Sequence, residues 1–162
     1  MKLILLFGLA LMGSSSFANS KLSDPFSVGI MGRVCVKGKC QNYSDIYTAQ
    51  PELKEETNKP GSFVGEAKIS YEIEGIKLVS IVTVSEFEFN GNQQVNLFLK
   101  TSEEGSSTDL GSSEIIVKKM SELNSIAQYS VPLMRDEVKV EPVILVGPSM
   151  DAVKSKMLSL PR

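Results

Sequence analysis

FVGEAKISYEIEGIKLVSIVTVSEFEFNGNQQVNLFLKT, residues 63–101, decides the fold. Ile69, Tyr71 and Ile73 alternate with Lys68, Ser70, Glu72 and Glu74, the period-two pattern of a strand with one wet face. Gly75 interrupts it. Leu78 to Phe89 then resumes with Val79, Ile81, Val82, Thr83 and Val84, whose branched side chains suit a pleated sheet. The middle of this run is apolar on both faces, so a central strand covered from two sides is expected. Its end, Glu86-Phe87-Glu88-Phe89, returns to alternation and should leave one face in solvent. Asn90-Gly91-Asn92 supplies the positive φ angles of a tight turn, and Val95, Leu97 and Leu99 form the third run.

The register of this last hairpin depends on its loop. A two-residue loop sets Phe87 opposite Gln94 and Val84 opposite Leu97. A three-residue loop with a bulge sets Phe87 opposite Val95 and Val84 opposite Phe98, keeping both terminal phenylalanines on the face of Val95, Leu97 and Leu99. The hydrophobic match favours the second.

Upstream, the first residues read as an export signal. Lys2 is a minimal positive region, Leu3 to Met12 an apolar core too short for the roughly 20 residues of a membrane span, and Ser16-Phe17-Ala18 a small-x-small cleavage site. Residues 1–18 are therefore expected to be a signal peptide and residues 19–162 a single domain. No cysteine follows the apolar run to accept a lipid. Of the 17 basic residues, Lys2 goes with the signal, leaving 16 against 19 acidic and a net charge of −3. Such a balance, without a long basic run, argues against nucleic acid as a partner. No later segment is apolar enough to be an integral membrane span, so a secreted or periplasmic product is expected.

Phe26 to Val36 reads as a strand with Val28, Ile30 and Val34 inward, although Gly29 and Gly32 weaken the pattern. With Lys37-Gly38 as a two-residue turn, Cys35 and Cys40 face each other as a non-hydrogen-bonded pair, where β-carbons approach closest. A disulfide there is expected in an oxidising compartment. Its small ring makes it worth about 2 kcal/mol in chain entropy. A metal site or a redox-active pair is the alternative, poorly served by two cysteines, no histidine and a spacing unlike the Cys-x-x-Cys motif.

Gln41 to Ser62 lacks strand periodicity and reads as a long connection, with Pro51 opening a short helix through Glu56. It carries Tyr43 and Tyr47, candidates for a binding loop. Asn42-Tyr43-Ser44 is also a formal glycosylation sequon. Ser102 to Ser113 reads as a mobile Ser/Gly/Glu loop whose Glu103, Glu104 and Asp109 are further binding candidates. With Glu114 they lack the alternating ligands and fixed glycine of a calcium loop.

Ile115 to Met120 reads as a short strand. Ser121 is expected to cap a helical turn through Ala127, and Glu137 to Val146 to form the last strand, which Pro142 assigns to an edge or bulge. Ser149 should cap a C-terminal helix with Met150, Val153 and Met157 along one stripe. The whole is expected to be an all-β antiparallel two-sheet sandwich of immunoglobulin-like architecture with a short terminal helix, a small open barrel being the alternative.

Chemistry is sparse. There is no histidine, no Ser-x-x-Lys or Gly-x-Ser-x-Gly motif, and no phosphate-binding glycine loop. Glu86 and Glu88 share a strand face at a spacing compatible with two-carboxylate glycoside chemistry, but no tryptophan is present to stack a sugar. No catalytic residue, metal or cofactor is assigned. The expected function is an exported non-catalytic binding or interaction module of the envelope or extracellular space, with an unknown protein or glycan partner bound through loops or a sheet edge. A small exported hydrolase using carboxylate or serine chemistry, and a structural subunit of a surface assembly, are the alternatives.

Overall fold

A computed structural model describes residues 21–22, 24–107, 109–119 and 122–160. The proposed signal peptide, Asn19 and the capping Ser121 lie outside the described residues. The chain is mostly β: β1 (Lys21–Leu22), β2 (Phe26–Val36), β3 (Lys39–Ala49), β4 (Glu52–Glu55), β5 (Phe63–Ile73), β6 (Ile76–Phe89), β7 (Asn92–Glu103), β8 (Asp109–Val117), β9 (Ile126–Tyr129), β10 (Leu133–Arg135) and β11 (Val138–Gly147), followed by the helix α1 (Met150–Ser159). Two antiparallel sheets result. One has the order β1-β4-β5-β6-β7-β8; the other has β10-β11-β2-β3, with β9 also on β11. The immunoglobulin-like arrangement is not confirmed, because β4 to β8 follow one another within one sheet and β11 inserts beside β2.

The meander of residues 63–101 is present as β5, β6 and β7, joined at Glu74-Gly75 and Asn90-Gly91. The register of the second hairpin, however, is that of the two-residue loop. Phe87 stands opposite Gln94, Val84 opposite Leu97 and Val82 opposite Leu99. Asn90 and Gly91 both have positive φ, 52° and 74°, the pair of angles that matches the twist of two strands without a bulge. Turn geometry thus outweighed the hydrophobic match. Leu78, Ser80, Val82, Val84 and Glu86 form the buried face of β6, and Phe89 is turned outward, 57% exposed. Cover from two sides is also limited: Val79 is buried, but Ile81 and Thr83 are only half-buried.

Four other expectations are corrected. The long connection at 41–62 is largely strand, because β3 runs to Ala49, and Glu52–Glu55 is β4 rather than a helix. Pro51 and Leu53 are buried while Glu52 and Lys54 are exposed, a period of two and not of 3.6. The loop expected at 102–113 is short, since β7 reaches Glu103 and β8 starts at Asp109. The helical turn expected before Tyr129 is the strand β9. Pro142 lies inside the sheet, opposite Gly32, at the break between β9 and β10 along β11. Its carbonyl accepts from Ser130 N at 3.0 Å, so its missing N–H falls where the ladder is interrupted.

The sheets share one core. Phe26, Val28, Ile30 and Ile144 pack with Val82, Val84, Leu97 and Leu99, while Val34 and Val140 pack with Ile73, Ile76, Leu78 and Leu110 in a second cluster. Tyr43 and Tyr71 touch both clusters. A polar band crosses the interior at this level. Tyr71 OH and Ser80 Oγ share a hydrogen bond of 3.2 Å, and Ser80 Oγ and Thr101 Oγ1 one of 3.3 Å. Gly111 lies opposite Thr101, leaving room for the Gln128 amide, whose nitrogen would stand 3.0 Å from a β-carbon there. Along one side the sheets are stitched by Val131 N donating to Leu110 O at 2.6 Å and by the Arg135–Glu103 ion pair. On the other side β3 is a sheet edge among the described residues.

Candidate functional site

The site is built on the outer face of β2, β3 and β11. Alternation sends Val28, Ile30, Ile144 and Val146 to the core, and Met31, Ile46, Val143 and Leu145 to the opposite face. That second apolar face needs a cover, and α1 supplies it. Ser149 Oγ accepts from Ala152 N at 3.2 Å and starts the helix where the sequence places it. Val153 is fully buried, and Met157 and Leu160 pack on the same cluster. The glycines that weakened the sequence pattern have a role here. A β-carbon on Gly29 would stand 2.5 Å from Val153 Cγ1 and 2.6 Å from Met157 Cε, and one on Gly147 3.0 Å from Val153 Cγ2.

α1 covers only part of the face, and beside it a groove of about 900 Å³ remains. Met31, Ile46, Val143, Met157 and Leu160 form its apolar lining, and Leu158, Met150 and Tyr129 its rim. The rim side chains are exposed, Leu158 at 72% and Tyr129 at 61%. Arg33, Asn42, Ser44, Asp45, Glu141 and Lys154 supply the polar wall. One of these charges is already paired, Glu141 with Lys139, while Asp45 Oδ1 accepts from Ile46 N at 2.8 Å and keeps its negative charge. Arg33 and Lys154 make no ion pair among the described residues. The groove therefore presents an apolar floor with a residual positive charge, a combination suited to a partly apolar, anionic partner.

Tyr43 and Tyr47 lie on β3 rather than on a loop, opposite Gly32 and Val28. Both turn into the core, and Tyr43 also reaches the groove wall. Burial, then the neighbouring Tyr71 and Glu141, raise the Tyr43 phenol well above the usual tyrosine range. Tyr71 is pushed up to about 12, chiefly by burial, with the Ser80 hydrogen bond opposing the rise. Tyr47 is raised by burial and by Asp45, and with Ala49, Glu66 and Ile69 it lines a smaller pocket of about 400 Å³ between β3 and β5.

The acidic candidates sit elsewhere. Glu103 is tied to Arg135, Glu104 N donates to Lys77 O at 2.9 Å, and Asp109 Oδ1 accepts from Gly111 N at 2.8 Å. They shape the turn between β7 and β8 and are not brought together with the tyrosines of β3. Among the described residues no three Asp, Glu or Cys side chains gather as a metal site. Glu86 is 7% exposed on the buried face of β6 while Glu88 is exposed at its end. Cys35 and Cys40 stand opposite each other with their sulfurs 2.04 Å apart, closing the β2–β3 hairpin as the spacing suggested. Sequence reasoning did not single out Met31, Arg33, Ile46 or Lys154 as a site. The signal available was the pairing of a helical stripe at Met150, Val153 and Met157 with the outward set Met31 and Ile46.

No family model matches the chain, and no curated protein matches it. Among solved structures, the crystal structure of Ail, the attachment invasion locus protein of Yersinia pestis, is similar at 18% identity, covering 76% of this chain and 96% of that one with a TM-score of 0.25. At that score the likeness carries no argument. Among the described residues no helix is long and apolar enough to cross a membrane.

Proposed function

We propose that this chain is an exported, non-catalytic binding module whose partner seats in the groove beside α1. The observation that carries the reading is the groove itself: a concave apolar floor of about 900 Å³ ringed by the exposed Leu158, Met150 and Tyr129. Large exposed apolar side chains round a concavity mark interaction sites more often than isolated ones do. The Cys35–Cys40 bond supports a location outside the reducing cytosol, periplasmic or extracellular. The same reading takes residues 1–18 as a cleaved signal and residues 19–162 as one domain, with a protein or glycan as the partner.

Affinity capture from envelope and extracellular fractions, run in parallel with wild type and Leu158→Asp, tests it. Leu158 is too exposed for the change to disturb folding. A partner held by wild type and lost with Leu158→Asp is the expected result. A partner held equally by both moves the site off the groove, and turnover of a substrate without any partner replaces the reading with the hydrolase.

A further inference from the structure

We propose that the groove receives an extended peptide segment, which adds as a strand to the open edge of β3, sends alternate apolar side chains into the groove, and carries an acidic residue facing Arg33 and Lys154. This rests on the reading of the groove as the binding site and specifies how it is filled.

The edge itself states what can cover it. Beyond the Lys37-Gly38 turn, Val36 pairs with Lys39, Val34 with Gln41, Gly32 with Tyr43, Ile30 with Asp45 and Val28 with Tyr47. In an antiparallel hairpin with a two-residue turn these are the hydrogen-bonded pairs, so their backbone groups point at β2. The N–H and C=O groups of Asn42, Ser44, Ile46 and Thr48 consequently point away from it, toward the side where β3 has no neighbour among the described residues. The Ile46 N–H agrees with this phase, since it bonds the Asp45 carboxylate at 2.8 Å on the side away from β2.

Three of these four positions, Asn42, Ser44 and Ile46, line the groove, with Ile46 on its apolar face while Tyr43 and Tyr47 pack on the core, although Tyr43 and Asp45 also reach the groove wall. Phase of backbone and phase of side chain therefore coincide. A strand bonded to Asn42, Ser44 and Thr48 presents every second side chain on the groove face, beside Ile46, Met31 and Met157. An edge of alternating donors and acceptors suits a peptide backbone and has no counterpart in a lipid tail. The electrostatic remainder selects among peptides. Glu141 is paired with Lys139, so Arg33 and Lys154 exceed the remaining Asp45 by one positive charge, which a carboxylate on the peptide would meet.

The test is selection of a displayed random nonapeptide library on the protein purified from an exporting host, followed by amide exchange on the complex, with sodium palmitate as a second probe. Selected sequences are expected to alternate apolar residues and include Asp or Glu. They should slow exchange at Asn42, Ser44 and Thr48 by about tenfold or more, and weaken about tenfold with Leu158→Asp. N-methylation of the peptide at alternate amides should abolish binding in one phase and spare it in the other. Peptides that weaken with Leu158→Asp yet protect none of the three amides overturn strand addition and leave the groove reading standing. Peptides indifferent to Leu158→Asp, or no enrichment together with no palmitate binding, overturn both. Saturable palmitate binding without peptide enrichment overturns the peptide in favour of an amphiphile.

Discussion

Gly29 on β2 lies directly beneath Val153 of α1, so close that a β-carbon on the glycine would stand 2.5 Å from Val153 Cγ1. The helix is seated by the absence of a side chain. Gly29→Ala reduces the freedom of the unfolded chain, which in an unstrained strand stabilises by about 0.4–1 kcal/mol, but overpacking costs about 1–3 kcal/mol. The second effect wins. Urea unfolding is expected to show a net loss of about 1–2 kcal/mol, with partner binding weakened because α1 and the groove wall move. An unchanged midpoint with unchanged binding contradicts this seating.

The Cys35–Cys40 bond closes a small ring, so its loss is expected to be tolerated. Cys35→Ser with Cys40→Ser should lower stability by about 2 kcal/mol, measured by denaturation with and without reductant. The wild-type protein should match the double variant once reduced. The groove starts two residues along the ladder, at the Arg33–Asn42 pair, but that pair is held by the β2–β3 ladder and by β11, so the groove should keep its partner.

Alkaline pH probes the polar band in the core. Tyr71 and Tyr43 titrate higher in the folded protein than in the unfolded chain, because burial disfavours the phenolate. Stability is therefore complete below the ordinary tyrosine pKa of about 10 and falls as pH rises through the folded value near 12, since the unfolded chain releases its protons first. Tyr71→Phe should remove about one proton from that dependence. It should also free Ser80 Oγ from one of its two partners, at about 1 kcal/mol near neutral pH. Equilibrium unfolding at a series of pH values reads both effects.

Asp45 occupies one N–H of the β3 edge with its own carboxylate. A charge placed on an edge strand discourages pairing with other chains. Asp45→Ala is expected to promote concentration-dependent self-association, detectable by sedimentation, without loss of fold. A variant that stays as monodisperse as the parent indicates that the edge is protected by something else.

Much of the fold was legible where the backbone leaves few choices. Lys37-Gly38, Glu74-Gly75 and Asn90-Gly91 all combine a positive-φ residue with glycine, and each joins two adjacent strands. Register was harder, because hydrophobicity prefers Val95 to Gln94 as the partner of Phe87, and the Asn90-Gly91 angles override that preference. β3 escaped notice for a different reason. An edge strand with a wet face can be as polar as Gln41-Asn42-Tyr43-Ser44-Asp45, and its inward Tyr43, Tyr47 and Ala49 resemble a loop until the sheet opposite is known. The groove was least legible, since it is formed by two elements distant in sequence, each needing only an ordinary apolar face.

The most direct test is site-specific photocrosslinking in the native extracytoplasmic fraction from two positions of similar apolar character: Leu158 on the groove rim and Phe98, 41% exposed on the outer face of the other sheet. A discrete adduct from position 158 and none from 98 is expected. An adduct from 98 alone contradicts the groove as the binding site.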